Sequence, residues 1–273
     1  MKRLLVVADD LGLTPGVNAG IAQGFRSGIL TSASFLTNTR HFDATLDLLP
    51  SLGGLKVGVH LTLVGGRPVL PPGDVPSLVK PGGDFRDSWR QFLPAWWAGR
   101  VRRIDVGAEW RAQVRRALDA GIRPAHLDSH QHLHIIPGLW SLVLDLAREF
   151  SIPRVRLPRE AAPAPPGTPL ARRLIRWSMA RLCRNAAAAQ GAGCCDHFFG
   201  ISETGRLDSA ALLAVLRRLP EGWSELITHP GIPDEELLCA YPWGYHWAEE
   251  AQSLCSEEAI QELAQQGIVL DRL

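Results

Sequence analysis

Four short stretches of the 273-residue chain concentrate the side chains that bind metals and move protons. The first is Asp9-Asp10, which closes the apolar run Leu4–Ala8 and precedes Leu11-Gly12 and Gly16. That run reads as a buried strand, and in parallel βα folds the carboxyl ends of strands face the active site. Neighbouring strand residues point to opposite faces, but where the chain turns both carboxylates can converge on one site. A helix cap or a solvated turn is the plain alternative for either. The second stretch is Gly58-Val59-His60-Leu61-Thr62-Leu63, which puts His60 at the end of another expected strand. Alone, His60 reads as a satisfied core histidine; its weight comes from its partners.

The third and densest stretch is His126-Leu127-Asp128-Ser129-His130-Gln131-His132-Leu133-His134, followed by Ile135-Ile136-Pro137. Strict alternation puts His126, Asp128 and His130 on one strand face, a polar row that lines a cavity rather than a core. Residues four apart in an extended strand are separated by about 13 Å, so His126 and His130 share one ion only if the chain bends between them. His130, where strand gives way to loop, is the better placed ligand. His126 and Asp128 then orient ligands or anchor substrate, and His132 and His134 border the same site. The fourth stretch ends the run Glu225–Thr228 in His229-Pro230-Gly231. Arg156, within Arg154-Val155-Arg156-Leu157-Pro158-Arg159-Glu160, can hold a buried carboxylate charged and oriented, the plain alternative being a simple salt bridge. One Asp and two His with open positions suit a zinc-type hydrolytic centre. Such an ion lowers the pKa of its water toward about 7, and a nearby carboxylate can take the proton.

Short apolar runs alternating with helical-period segments must position these groups. Expected strands are Arg3–Ala8, Thr31–Leu36, Lys56–Leu61, Ala125–Ser129, Arg154–Leu157, His197–Ile201, Glu225–Thr228 and Ile268–Asp271. Helices are expected near Val17–Arg26, Ala44–Leu49, Glu109–Ala120, Trp140–Glu149, Leu170–Ala189, Ser209–Leu219 and Glu257–Gln266. Seven or eight such units fit one α/β domain over residues 1–273, a (β/α) barrel, better than two domains. A Pro/Gly-rich stretch at about 64–103, carrying Trp89, Phe92, Trp96 and Trp97, reads as a long loop that covers the site. A second interruption, at about 161–195, has no acidic residue but contains Arg172, Arg173, Arg176, Arg181 and Arg184. With Leu174, Ile175, Trp177, Met179 and Leu182 among them, it reads either as a helix lying on an anionic membrane surface or as an outer barrel helix with solvated arginines.

Charge narrows the classes of partner. Lys+Arg 29 against Asp+Glu 28 gives a net charge of +1, which argues against a nucleic-acid partner. Hydrophobic content of 46% with 21% charged residues is that of a globular protein. The apolar run near the amino terminus is too short for a signal peptide or a membrane span, so a cytoplasmic location is expected. The five cysteines show no CxxC spacing, so buried reduced thiols are expected rather than a disulfide framework.

Taken together, Ala8-Asp9-Asp10-Leu11-Gly12, Gly58–Leu63, the His126–His134 run with Pro137, and Thr228-His229-Pro230 resemble the YdjC-like carbohydrate deacetylases, related in design to the NodB-type polysaccharide deacetylases. The resemblance implies an irregular (β/α) barrel that removes acetyl groups from N-acetylated sugars with one divalent metal. It implies Asp10, His60 and His130 as metal ligands, Asp9 as general base and His229 as general acid for the departing amine. His126 stays ambiguous, since the NodB pattern uses both histidines of an H-x-x-x-H. Ligand chemistry favours zinc, while the family is commonly assigned magnesium. Val155–Glu160 and Thr228–Gly231 are most similar to the hopanoid-biosynthesis-associated branch, HpnK. That likeness implies an N-acetylglucosaminyl hopanoid substrate, with Trp96, Trp97 and the basic helix touching the lipid or the inner face of the membrane. The alternatives are a soluble chito-oligosaccharide deacetylase and a non-catalytic carbohydrate- or lipid-binding barrel.

Overall fold

A computed structural model describes residues 1–160, 170–187 and 193–271. The chain opens with β1 (Lys2–Leu11), α1 (Pro15–Ser27), β2 (Ser32–Phe35), α2 (Phe42–Leu48) and β3 (Lys56–Leu61). It continues through α3 (Trp89–Trp97), α4 (Arg103–Asp119), β4 (Leu127–Ser129), α5 (Trp140–Glu149) and α6 (Leu170–Ala187). The last part holds β5 (His197–Phe199), α7 (Ser209–Arg217), β6 (Gly222–Thr228), α8 (Glu235–Ala240), α9 (Trp247–Leu254), α10 (Glu257–Gln265) and β7 (Ile268–Leu270).

Seven strands form one parallel sheet, six of them in the order β4-β3-β2-β1-β6-β5. Strand β7 pairs with Lys2–Leu4 of β1, while β2 pairs with the other half of that edge, from Val7 to Leu11. The sheet curls into a half-barrel rather than a closed one: among the described residues no continuous ladder joins β4 to β5. The eighth strand expected at Arg154–Leu157 is reduced to two isolated bridges, Leu127 to Val155 and Arg154 to Gly193. Pro153 and Pro158 bracket it, and neither can donate a ladder hydrogen bond.

Leu4, Val6 and Ala8 of β1 pack in the core beneath α1, α7, α9 and α10. By strand alternation Leu5, Val7 and Asp9 face the concave side of the curl. A second apolar core joins Val59, Leu61 and Leu127 to Trp110, Val143 and Leu146. The 64–103 stretch is more structured than a covering loop, because it carries α3 and puts Val75, Leu78, Phe85 and Phe92 into that second core. Its backbone is fastened to α4: Val69 and Leu70 donate N–H groups to Glu109, at 2.9 and 3.0 Å, and Ser77 donates to Asp105 at 3.1 Å. These acceptors are also why α4 begins six residues earlier than expected, since its buried acids are paired rather than solvated.

The described part of α6 runs to Ala187, and the remainder of the basic 161–195 stretch, including the expected helix residues 188 and 189, lies mostly outside the described residues. Arg176 is not a solvated arginine; it is buried against Glu160 and Ser202. Of the cysteines only Cys183 is buried, and Cys239 is exposed, so the expectation of five buried thiols is corrected. No helix of the described residues is long and apolar enough to cross a membrane.

Candidate active site

Asp9 and Asp10 lie on the last turn of β1, where the pairing with β2 shifts register between Ala8 and Leu11. Asp10 adopts φ 65°, in the left-handed region. A bulge with one residue in that region re-aims the chain, and here it brings two sequence neighbours into one site rather than onto opposite faces. Gly12 N–H then donates to Asn18 Oδ1 at 2.7 Å, locking the turn onto α1. Gln131 and His132, at φ 56° and 53°, similarly turn the chain sharply after β4 and present His130 at the rim.

Asp10, His60 and His130 form a group whose ligand atoms all lie within 4.8 Å of one another. Around Asp10 Oδ1, His130 Nδ1 is at 2.9 Å and His60 Nε2 at 3.5 Å. His60 Nδ1 lies 2.8 Å from Asp128 Oδ1; in the neutral ring that contact holds the Nδ1 proton, so Nε2 presents its lone pair toward Asp10. These three residues could hold one metal ion, and the donor set fits. Three carboxylates, Asp9, Asp128 and Glu225, share a single guanidinium, Arg156, and Asp10 beside His60 and His130 adds a fourth, an excess of negative charge suited to a dication. Burial pulls the His60 imidazole down, but Asp128, Asp9 and Asp10 more than reverse this and raise it to about 9. Burial likewise pushes the Asp10 carboxyl up, yet His130 and His60 hold it well below the usual range.

Asp9, His60 and Asp128 form a second close group, but a cation already serves two of its members. Arg156 grips both oxygens of Asp9, Nη1 to Oδ2 and Nη2 to Oδ1, each at 2.8 Å. Its Nη1 lies 2.6 Å from Asp128 Oδ2, and its Nε donates to Glu225 Oε1 at 2.6 Å. The fork fixes the plane of the Asp9 carboxylate.

The remaining histidines separate by geometry. Ser34 Oγ donates to Asp128 Oδ2 at 2.7 Å and therefore accepts from His126 Nε2–H at 2.9 Å. This nitrogen is committed, and His126 belongs to neither close group. Burial pushes the His126 ring down to about 3, so it stays neutral. A Cβ at Gly58 would sit 2.3 Å from His126 Nε2, so the ring occupies space that only glycine leaves in β3. His134 lies behind the site: Nε2–H donates to the Arg156 carbonyl at 2.9 Å and Nδ1 accepts from Ser129 Oγ at 2.7 Å. His132 reaches the cleft and meets Phe198 edge-on. His229, after β6, also lines it; its backbone N–H donates to buried Glu250 at 2.6 Å.

The cleft encloses about 480 Å³. Asp9, Asp10, His60, His130 and His229 share it with Trp89, Trp243 and Tyr245. Trp96 and Trp97 do not line it: Trp96 stacks on Phe92, and Trp97 is 68% exposed. Sequence reasoning missed Trp243, Tyr245, Ser34 and Glu225. A signal for the first two existed, since Tyr241 and Tyr245 are the only tyrosines of the chain and alternate with Trp243 and Trp247. Ser34 and Glu225 carry no local signal, being ordinary strand residues until the sheet is assembled.

Residues 3–265 match the YdjC-like protein family. The chain belongs to the YdjC-like family. Among curated relatives of this YdjC-like protein, a chitooligosaccharide deacetylase of Klebsiella pneumoniae is 32% identical over 240 residues, covering 87% of this chain and 85% of that one. A carbohydrate deacetylase of Brevibacillus brevis is 30% identical, with 98% and 97% covered. The carbohydrate deacetylase of Halalkalibacterium halodurans is 39% identical over 151 residues; there the match spans 55% of this YdjC-like chain and only 62% of the relative. A solved Enterococcus faecalis structure, described as a candidate cellobiose-phosphate cleavage protein, superposes with TM-score 0.77 at 26% identity, covering 99% and 97%.

Proposed function

We propose that this YdjC-like protein is a metal-dependent N-deacetylase of an N-acetylated amino sugar, releasing acetate. The observation that carries this reading is the meeting in one cleft of the Asp10-His60-His130 group, the Arg156-clamped Asp9, and His229. The names of the Klebsiella and Brevibacillus relatives supply the substrate class.

Asp10, His60 and His130 would hold a divalent ion, which would supply Lewis-acid polarisation of the acetamide carbonyl and of water; one carboxylate and two imidazoles suit zinc better than magnesium. The chain's own groups handle the protons. Asp9, its plane fixed by Arg156, takes a proton from the water that attacks the carbonyl carbon. His229 gives a proton to the nitrogen as the C–N bond breaks, so the products are acetate and a free amine. Asp128 keeps the His60 tautomer fixed and shares Arg156 with Asp9.

Acetate release from diacetylchitobiose, lost on chelation and restored by zinc, is the expected result. Absence of acetate release from any N-acetyl sugar with metal present would overturn the reading.

A second reading keeps the chemistry and makes the substrate lipid-linked, as the hopanoid-biosynthesis-associated branch would. Its support is α6, which exposes Leu170, Leu174 and Trp177 (69, 56 and 62%) beside exposed Arg173 and Arg181, while Ile175 and Met179 of the same helix line the cleft. Such a helix suits the surface of an anionic membrane. Faster turnover of N-acetylglucosaminyl hopanoid than of diacetylchitobiose would favour it; equal or slower turnover would sink it.

A further inference from the structure

The segment Tyr241-Pro242-Trp243-Gly244-Tyr245-His246-Trp247 takes no part in the proton transfers proposed above. In the fold it forms an aromatic arm between α8 and α9. Its rings contact one another in series: Tyr241 to Trp243 at 5.2 Å, Trp243 to Tyr245 at 5.5 Å, and Tyr245 to Trp247 at 5.0 Å between centroids. Edge and tilted contacts at such spacings are attractive, so the arm holds its own shape.

The arm also reaches the chemistry at two points. The Trp243 ring lies 5.5 Å from the ring of His130, tilted by 36°, and Tyr245 meets His229 edge-on at 5.1 Å. Both aromatic residues line the cleft. The carboxyl end of the arm is fastened to two neighbouring loops: His246 N–H donates to the Gly205 carbonyl at 2.8 Å, and Gly231 N–H donates to the Trp247 carbonyl at 3.1 Å. At Gly205, φ 70°, a Cβ would lie 2.2 Å from the Tyr245 ring, so that glycine leaves the space the ring fills. Trp247, 3% exposed, is the anchor in the core, whereas Trp243 keeps part of its surface open.

We propose that this arm is a pyranose-binding platform, and that Trp243 is the residue that selects ring-bearing acetamides by stacking on the sugar next to His130. The proposal rests on the N-deacetylation reading and adds the residue that recognises the sugar. A pyranose presents an apolar C–H face and a polar edge, and an indole offers a flat apolar surface of matching size. Trp89, Ile175 and Met179 also line the cleft, but among the described residues Trp243 is the indole whose ring meets a member of the Asp10-His60-His130 group. Because the arm is already held in place, docking costs little ordering entropy.

The test combines Trp243→Ala and Trp243→Phe, followed with diacetylchitobiose in the zinc-loaded protein. Trp243→Ala should raise KM by about tenfold, the worth of one lost aromatic contact, with a smaller change in kcat. Trp243→Phe, which keeps a flat face, should recover most of it, and both variants should retain the metal. An unchanged KM, a Phe variant as impaired as the Ala variant, or loss of metal from Trp243→Ala would overturn the platform. Calorimetric binding of diacetylchitobiose is measured in parallel in the Asp9→Asn background. If the unmutated chain releases no acetate, the deacetylase reading falls, yet this binding still decides the platform: about tenfold weaker binding on adding Trp243→Ala supports it, and equal binding rejects it.

Discussion

Two buried clusters in this protein pair carboxylates with arginines, and they behave in opposite ways. At the cleft, Arg156 touches Asp9, Asp128 and Glu225 through its nitrogens at 2.6 to 2.8 Å. Burial pushes the Asp128 carboxyl up, but Arg156 and His60 hold it well below the usual range. Beneath α6, Glu160 lies 3.3 Å from Arg176 and 3.9 Å from Arg218, while Arg218 sits closer to Glu203, at 2.7 Å. There burial, reinforced by Glu203, prevails over the arginines and raises Glu160 to about 7. Among the described residues, one oxygen of each of these two glutamates finds no hydrogen-bond partner. The difference teaches that the number of arginines does not decide the outcome; close contact from a guanidinium fork does. A tight cluster keeps its acids ionised and aimed, as a general base requires. A loose one leaves an acid that titrates near neutral pH.

The largest effect should come from removing the charge of Asp9 while keeping its shape. Asp9→Asn should lower kcat for acetate release by about 10²–10⁴-fold, the usual worth of a positioned base. Metal content, measured by elemental analysis, should stay unchanged, because Asp9 is not in the Asp10-His60-His130 group. Retained turnover would break the claim that the tight cluster serves the chemistry.

Next comes Arg156→Met, which leaves Asp9, Asp128 and Glu225 without their guanidinium contact. Stranding buried charge of this kind costs about 3–5 kcal/mol, readable as a lower denaturation midpoint, and activity should fall with it. Arg156→Lys should restore part of the stability and little of the activity, since an ammonium cannot grip both oxygens of Asp9 in one plane. Full activity in the Lys variant would show that charge alone suffices.

The smallest effect belongs to the loose cluster. Because the folded value for Glu160 lies above its ordinary 4.5, folding favours its protonated form. That stabilisation is complete below pH 4.5 and disappears as pH rises through about 7. Glu160→Gln should therefore flatten the pH dependence of stability in that window by an amount on the order of 2 kcal/mol. Urea midpoints at pH 5 and pH 8 check it, and parallel slopes for variant and parent would contradict the comparison.

Much of the candidate site was legible because its residues sit at strand ends. A parallel βα arrangement sends every carboxyl end to the same rim, so position and residue type marked Asp9-Asp10, His60, His130 and His229 as candidates, while their division into ligands, base and acid came from the family resemblance. The seven strands were legible for a related reason, since apolar runs between helical segments leave few alternatives. Less could be read wherever a residue's meaning depends on its partner. Nothing in the local sequence marks Asp105 and Glu109 as the buried acceptors of the Val69, Leu70 and Ser77 N–H groups. The eighth strand faded because two prolines outweighed its apolar pattern.

By itself, then, the sequence determined which chemistry is available and which rim carries it, because residue type and period are properties of the chain taken locally. Only the tertiary structure decided the pairings. The order of strands sets β2 beside β3 and β3 beside β4, which lets Ser34, His60 and Asp128 meet. The bulge in β1 turns Asp9 and Asp10 into one site, and a segment far along the chain lays Trp243 against His130. Those contacts follow from sheet order and packing, which no local pattern encodes.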